Sequence, residues 1–293
     1  MSARLGLAVL ALAAVLAGGA RAAPPAPAAP DWRQADPENV LVIDTSKGRI
    51  LVEMSPEAAP KHVAQIKTLA RQKVYDGLVF FRVIDWFMDQ TGDPKNTGDG
   101  ASSLPNLKAE FTFRRNASTP FVAVASPMGA DVGLLGALPV VSQTSALMQL
   151  NPDHQVSAWG TYCPGVAGMA RDDDPDSANS QFFLMRQAYP SLDKRYTVWG
   201  RVLVGLDVVR AIKTGEPVQD PDKMTSVRVL ADLPEAERPK VYVMDTHGPA
   251  FKRLLGQTRQ AKGADFSVCD LELPAQVRWG VRPPGPGTRD GGG

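Results

Sequence analysis

The sequence predicts a mainly β fold, a largely antiparallel sheet closed into a barrel with two helices packed on it. Three features predict it. Short runs rich in Val, Ile, Phe and Tyr recur through residues 40–233, each bounded by Gly, Pro, Asp or Asn. Only two segments among them carry the helical period, too few for an α/β fold. The first two runs flank Ser46-Lys47-Gly48 and read as a hairpin.

Residues 1–22 carry Arg4, the apolar run LGLAVLALAAVLA and then Ala20-Arg21-Ala22, the order of a secretory signal peptide with its cleavage site. The run is short for a bilayer span, so no membrane span is expected after its removal. The expected address is the bacterial periplasm, ahead of secretion or a retained membrane tether. Residues 23–37, which begin within AAPPAPAAP, are expected to form an extended Pro/Ala-rich tether. The hairpin VLVIDTSKGRILVEM (40–54) is followed at Pro60 by a helix with Val63, Ile66, Leu69 and Ala70 on one face. Tyr75-Asp76-Gly77 ends that unit, and Val79 to Ile84 resume strand composition.

GDPKNTGDGASSLPN (92–106) lacks the G-x-x-x-x-G-K-[ST] of a phosphate cradle and reads as a surface loop. GVAGMA (165–170) and SQFFLMR (180–186) are short apolar runs separated by turn chemistry. Thr197 to Val204 is a further strand, Leu206, Val209 and Ile212 share one face of a second helix, and Val227 to Leu230 supply a last strand. Residues 234–280 read as a small α/β extension and 281–293 as a disordered tail.

With 293 residues, 44% hydrophobic and 22% charged, the chain is of ordinary globular composition, and its net charge of +1 gives no footprint for nucleic acid. No metal or cofactor is expected. His62, His154 and His247 are scattered without ligand spacing, Asp172-Asp173-Asp174 lacks the remainder of a calcium loop, and no G-x-S-x-G occurs. Cys163 and Cys269 suit an exported chain, and the sequence leaves a bridge and two separately buried thiols both open.

The stretch FFRVIDWFMDQTGDP (80–94) places a guanidinium, an apolar pair and an amide within nine residues, with no serine, cysteine or histidine beside them. Together with NSQFFLM (179–185) it resembles the two signatures of the cyclophilins. The flanking order fits as well: hairpin, helix, Gly-rich loop, GVAGMA, Leu-Asp-x-x-Tyr, VWGRV, helix and strand. The resemblance covers roughly residues 40–233 apart from about 113–160, which reads as an insertion. It implies an eight-stranded antiparallel β-barrel capped by two α-helices, within a barrel unit at 38–233. It also implies a peptidyl-prolyl cis-trans isomerase acting on proline-containing peptides and unfolded exported proteins, as a monomer.

By that resemblance Arg82 is the catalytic arginine, and Gln90 beside it is an amide that holds the substrate backbone as the bond rotates. Phe87, Met88, Phe183 and Leu192 wall a proline pocket, Gln181 holds substrate backbone, and Ala170 lines the adjoining groove. Arg171 stands where the family often has asparagine, Ser191 where many members have tryptophan, and Tyr196 where many have histidine. The first bears on the grip on the peptide, the second implies weak binding of cyclosporin-type inhibitors, and the third keeps an aromatic rim. The insertion and these departures also raise an alternative, a peptide-binding or assembly module with little isomerase activity. In that case the insertion is a flap over the groove or a partner surface.

The residue types suit a reaction that breaks no bond. Rotation about X-Pro meets a barrier of about 18–20 kcal/mol because amide resonance is lost. In the twisted transition state the prolyl nitrogen regains its lone pair and becomes an acceptor. A fixed donor aimed at it binds the transition state better than either planar form, which is the binding that accelerates.

Overall fold

The computed structural model describes residues 31–279. The expected signal peptide, the start of the tether and the expected disordered tail lie outside the described residues. The chain enters as β1 (Trp32–Gln34), the hairpin β2 (Val40–Thr45) and β3 (Gly48–Met54), α1 (Pro60–Arg71), β4 (Arg82–Val83) and β5 (Met88–Thr91). Next come β6 (Phe113–Arg115), β7 (Phe121–Ala125), β8 (Ala130–Leu135), β9 (Leu138–Gln143) and β10 (Val156–Gly160). Then follow β11 (Val166–Met169), β12 (Phe182–Met185), β13 (Val198–Val204), α2 (Leu206–Ala211) and β14 (Met224–Val229). The chain closes with β15 (Lys240–Met244), α3 (Pro249–Lys262) and β16 (Ala275–Arg278).

Eight strands form one antiparallel sheet in the order β14-β2-β3-β13-β11-β12-β5-β4. Its edges meet. The Met224 amide donates to Leu78 O at 2.8 Å, the Phe80 amide to Asp222 O at 2.9 Å, and Val83 and Gly215 exchange two bonds of 2.8 Å. Strand alternation sorts the side chains into two clusters. Phe182 and Leu184 of β12 pack inside with Leu41, Ile43, Ile50, Val52 and Trp199. Their neighbours Phe183 and Met185 lie outside, with Val166 and Val198. The predicted α1 face, Val63, Ile66, Leu69 and Ala70, is entirely buried in the inner cluster. Burying each of Val63, Ile66 and Leu69 contributes roughly 1.5–3 kcal/mol, so this face fixes α1 more than helix propensity does. α2 buries Val209 and ends at Ala211, one residue short of the expected helix. Only Arg82–Val83 of the expected strand 79–84 is strand, because Val79 and Phe80 pair with the chain beside β14 to close the barrel.

Residues 113–160 fold as a separate antiparallel sheet, order β6-β10-β9-β8-β7. LPVVSQTSALMQL resolves into β9 and a 3-10 turn, Ser145–Gln149. The sheet sets Val124, Leu134, Leu138 and Val140 against the barrel's outer residues and against Phe251, Val268 and Leu271 of the C-terminal part. The end of the expected tether is structured: β1 pairs with β15, Trp32 opposite Met244. Pro/Ala composition stops at Pro30, and Trp-Arg-Gln beyond it has donors that the β15 edge satisfies.

Cys163 and Cys269, 106 positions apart in sequence, are disulfide-bonded, one of the two arrangements that the sequence left open. Arg201 of β13 is buried where the three parts join. It donates to Ala137 O and Leu271 O, both at 3.1 Å, and burial draws its pKa down to about 10.

Candidate active site

Three short strands present the site as one row. In the β4–β5 and β5–β12 ladders Arg82 lies opposite Gln90, and Gln90 opposite Phe183. Met88, two residues before Gln90 on β5, shares its outer face. The turn between β4 and β5, closed by the Phe87 amide on Ile84 O at 2.9 Å, brings Phe87 round beside Met88. Opposite Phe183 in the next ladder is Gly168. A Cβ there would lie 2.6 Å from the Phe183 ring and 2.7 Å from the Tyr162 hydroxyl, so glycine is what admits both rings.

All the residues that the sequence assigned to the site except Gln181 line one cavity of about 120 Å³: Arg82, Phe87, Met88, Gln90, Ala170, Arg171, Phe183, Leu192 and Tyr196. Gln181 lines a neighbouring cleft with Gly98, Gly100 and Asn179, and Gln90, Ala170 and Arg171 face both. The floor is firm. Met88 and Phe183 are buried. Tyr162 stacks on Phe183 at 5.7 Å, Tyr196 meets it edge-on at 6.0 Å, and Tyr189 packs on Phe87 at 4.7 Å. Such pairs add about 0.5–1.5 kcal/mol each beyond area burial.

The polar side is a relay of amides ending at the guanidinium. Gln181 Nε2 donates to Gly98 O and Gly100 O, both at 2.8 Å, and Gln90 Nε2 donates to Gln181 Oε1 at 3.0 Å. Arg82 Nη1 donates to Gln90 Oε1 at 3.3 Å, and its Nε donates to Glu216. The Gly-rich loop thus buttresses the site. Asp93 holds that loop by accepting from the amides of Lys95, Thr97 and Gly98 at 2.6–2.8 Å. Burial alone would raise the Asp93 pKa, but these amides outweigh it and hold it below the usual carboxylate range.

Arg171 does not reach across the cavity. Its Nε donates to Arg195 O at 3.0 Å, its Nη1 donates to Asp172 O at 2.6 Å, and the guanidinium lies 4.5 Å from the Tyr196 ring centre. The 113–160 sheet lines neither cavity. It packs on the barrel's other outer residues and is not a flap over the groove.

Sequence reasoning missed Glu216, Asp93 and Tyr162. Asp93, at the head of a Gly-rich loop, carried a usable signal in its turn chemistry. Glu216 carried none. Among the described residues no group of three or more His, Cys, Asp or Glu is disposed to hold a metal ion, and no helix is long and apolar enough to cross a membrane. His62 is buried in α1, with Nδ1 2.7 Å from Glu110 Oε2.

Residues 40–231 match the family model described as cyclophilin type peptidyl-prolyl cis-trans isomerase/CLD. A probable peptidyl-prolyl cis-trans isomerase of Brucella suis is 36% identical over 214 residues, 68% of this chain and 86% of its own. The peptidyl-prolyl cis-trans isomerase-like 1 of Aspergillus fumigatus is 30% identical over 64% of this chain and 92% of its own. The crystal structure of cyclophilin AquaCyp293 from Hirschia baltica is similar with a TM-score of 0.80 and 36% identity. That likeness covers 86% of this chain and 95% of the other, a larger share than residues 40–231 make up.

Proposed function

The chain belongs to the cyclophilin-type peptidyl-prolyl cis-trans isomerase family, and from that premise we propose that Arg82 is the donor that speeds rotation of X-Pro bonds held against Phe87, Met88, Phe183 and Leu192. The observation that carries the assignment is the single row of Arg82, Gln90 and Phe183, which sets a fixed guanidinium beside a dry aromatic wall. The proline ring fills the apolar socket and excludes water, which strengthens the arginine's contact with the prolyl nitrogen as it pyramidalises. Gln90, held by Gln181, takes the rotating amide's backbone. No proton moves and no covalent intermediate forms, so no nucleophile or general base is needed.

The test is NMR exchange between the cis and trans signals of a short Ala-Pro peptide, with the wild-type protein and the Arg82→Ala variant. Loss of one preorganised donor costs about 10²–10³-fold in rate. Fast exchange with wild type and a loss of that size in the variant is the expected result. Folded wild-type protein that leaves exchange at the buffer rate would sink the reading. The peptide-binding module with little activity finds no support in this geometry. Arg171 is occupied by backbone carbonyls and Tyr196, and the insertion stands clear of the cleft.

The natural substrates in this reading are exported chains folding in the periplasm. The signal-like segment 1–22 and the Cys163–Cys269 bridge both favour an oxidising compartment. Fractionation with mass spectrometry of the N-terminus checks it. A periplasmic chain beginning at Ala23 is expected, and a cytoplasmic chain retaining Met1–Ala22 would overturn the address.

A further inference from the structure

Glu216 brings to the site a carboxylate that the reaction does not call for. It accepts a hydrogen bond from Arg82 Nε, yet it lies more than 130 residues from Arg82 and outside both signature motifs. Its position follows from register. Gly215 exchanges two backbone bonds of 2.8 Å with Val83, and the Val218 amide donates to Phe81 O at 3.1 Å. The turn carrying Glu216 is therefore paired with the residues on either side of Arg82. A Cβ at Gly215 would lie 2.8 Å from Val218 Cα and 2.9 Å from Pro217 O, so the tight turn requires glycine. Val218 anchors the turn in the barrel core.

A guanidinium offers five N–H donors in one plane. In Arg82 the Nε side is taken by Glu216 and Nη1 by Gln90, while Nη2 meets no protein acceptor among the described residues. We propose that Glu216 is a positioning residue for the isomerase. By holding one edge of the guanidinium it fixes the plane that Gln90 steadies from the other, and leaves the free edge for the X-Pro bond. The proposal rests on the reading of Arg82 as the transition-state donor.

Two effects compete. The carboxylate offsets some of the positive charge, and it removes the rotational freedom of a long side chain. Its side chain is 56% exposed, so water screens its field, whereas the directional hydrogen bond remains. Holding outweighs neutralising, and the carboxylate favours catalysis.

The test compares Glu216→Ala, Glu216→Gln, Arg82→Ala and the Glu216→Ala/Arg82→Ala pair in the peptide-exchange assay, with Tm measured for each. Misplacing a reacting group by about 1 Å costs up to ~10²-fold, and a loosened but present arginine should lose about tenfold. That loss should fall on kcat with KM little changed. Glu216→Gln should retain more activity, since its amide oxygen still accepts from Nε. In the Arg82→Ala background Glu216→Ala should cost nothing further. The Arg82 Nε–H resonance in the wild-type protein should move or broaden in Glu216→Ala, a readout independent of turnover. Wild-type kinetics in Glu216→Ala beside an inactive Arg82→Ala, or losses that simply add in the double variant, would overturn the proposal. An Arg82→Ala variant as active as wild type would instead overturn the role of Arg82, while the Nε–H resonance still reports the contact.

Discussion

Arg171 replaces the asparagine that the family often carries beside the groove alanine, and its guanidinium binds its own loop. It bonds the carbonyls of Arg195 and Asp172 and lies over the Tyr196 face, so it stiffens the rim of the cavity without spanning it. An exposed cation–π contact is worth about 0.5–1 kcal/mol. Arg171→Ala should therefore raise KM about two- to fivefold with kcat little changed, because a looser Tyr196 weakens ground and transition states alike. Steady-state exchange rates over a range of peptide concentrations separate the two constants, and an equal fall in kcat would refute the assignment. At this scale the site was legible in sequence wherever a residue sat inside a motif, as Arg82, Gln90 and Phe183 do. Glu216 and Tyr162 were not legible, since Glu216 meets Arg82 through the pairing of Gly215 with Val83 and Tyr162 stacks on Phe183, contacts that no local pattern encodes.

The link between β5 and α2 runs through charges buried behind the active face. Arg186 donates to Asp89 Oδ1 at 3.0 Å and to the carbonyls of Val209, Arg210 and Ile212 at 2.6–3.2 Å, which closes the C-terminal end of α2. Asp89 is fully buried and its Oδ2 finds no partner, so burial pushes its pKa up to about 7 despite Arg186. The folded state then holds this proton more tightly than the unfolded chain, whose carboxyl titrates near 3.9. The group's stabilising contribution is full below the unfolded value, declines as pH rises towards 7, and stays low above it. His62 acts in the opposite sense. Burial lowers its pKa although Glu110 favours its charged form, so its contribution is present above 6.5 and lost on acidification. Asp89→Asn isolates the first effect: the fall in stability between pH 4 and 7, read from urea midpoints, should flatten in the variant. An unchanged slope would show that the buried carboxyl keeps an ordinary pKa. The apolar pattern announced the first two helices, but nothing in the sequence joined Asp89 to Arg186 across 97 positions.

Over the described residues the chain is a barrel clasped from outside by the segments that precede and follow it. β1 and β16 flank β15 in one sheet, and α3 and the 113–160 sheet share an apolar cluster with the barrel's outer face. Composition marked where the barrel stopped, but it could not show that insertion and extension pack on each other, because their facing residues meet only in three dimensions. Arg201 and the Cys163–Cys269 bridge tie the join. A cross-link closing about 100 residues removes unfolded-state entropy worth about 4–5 kcal/mol. Cys163→Ser/Cys269→Ser, or reduction of the native chain, should lower the urea midpoint by a large part of that stability and raise the m-value, since the freed unfolded chain exposes more surface. Unfolding should remain a single transition, because the shared cluster and Arg201 still couple the parts. The cavity at Arg82 is lined by barrel residues alone, so exchange activity at 25 °C should hold while stability falls. Two separated transitions after reduction would mean that the bridge, and not the packing, joins extension to barrel. A parallel loss of activity would mean that the bridge also shapes the Tyr162–Phe183 floor next to Cys163.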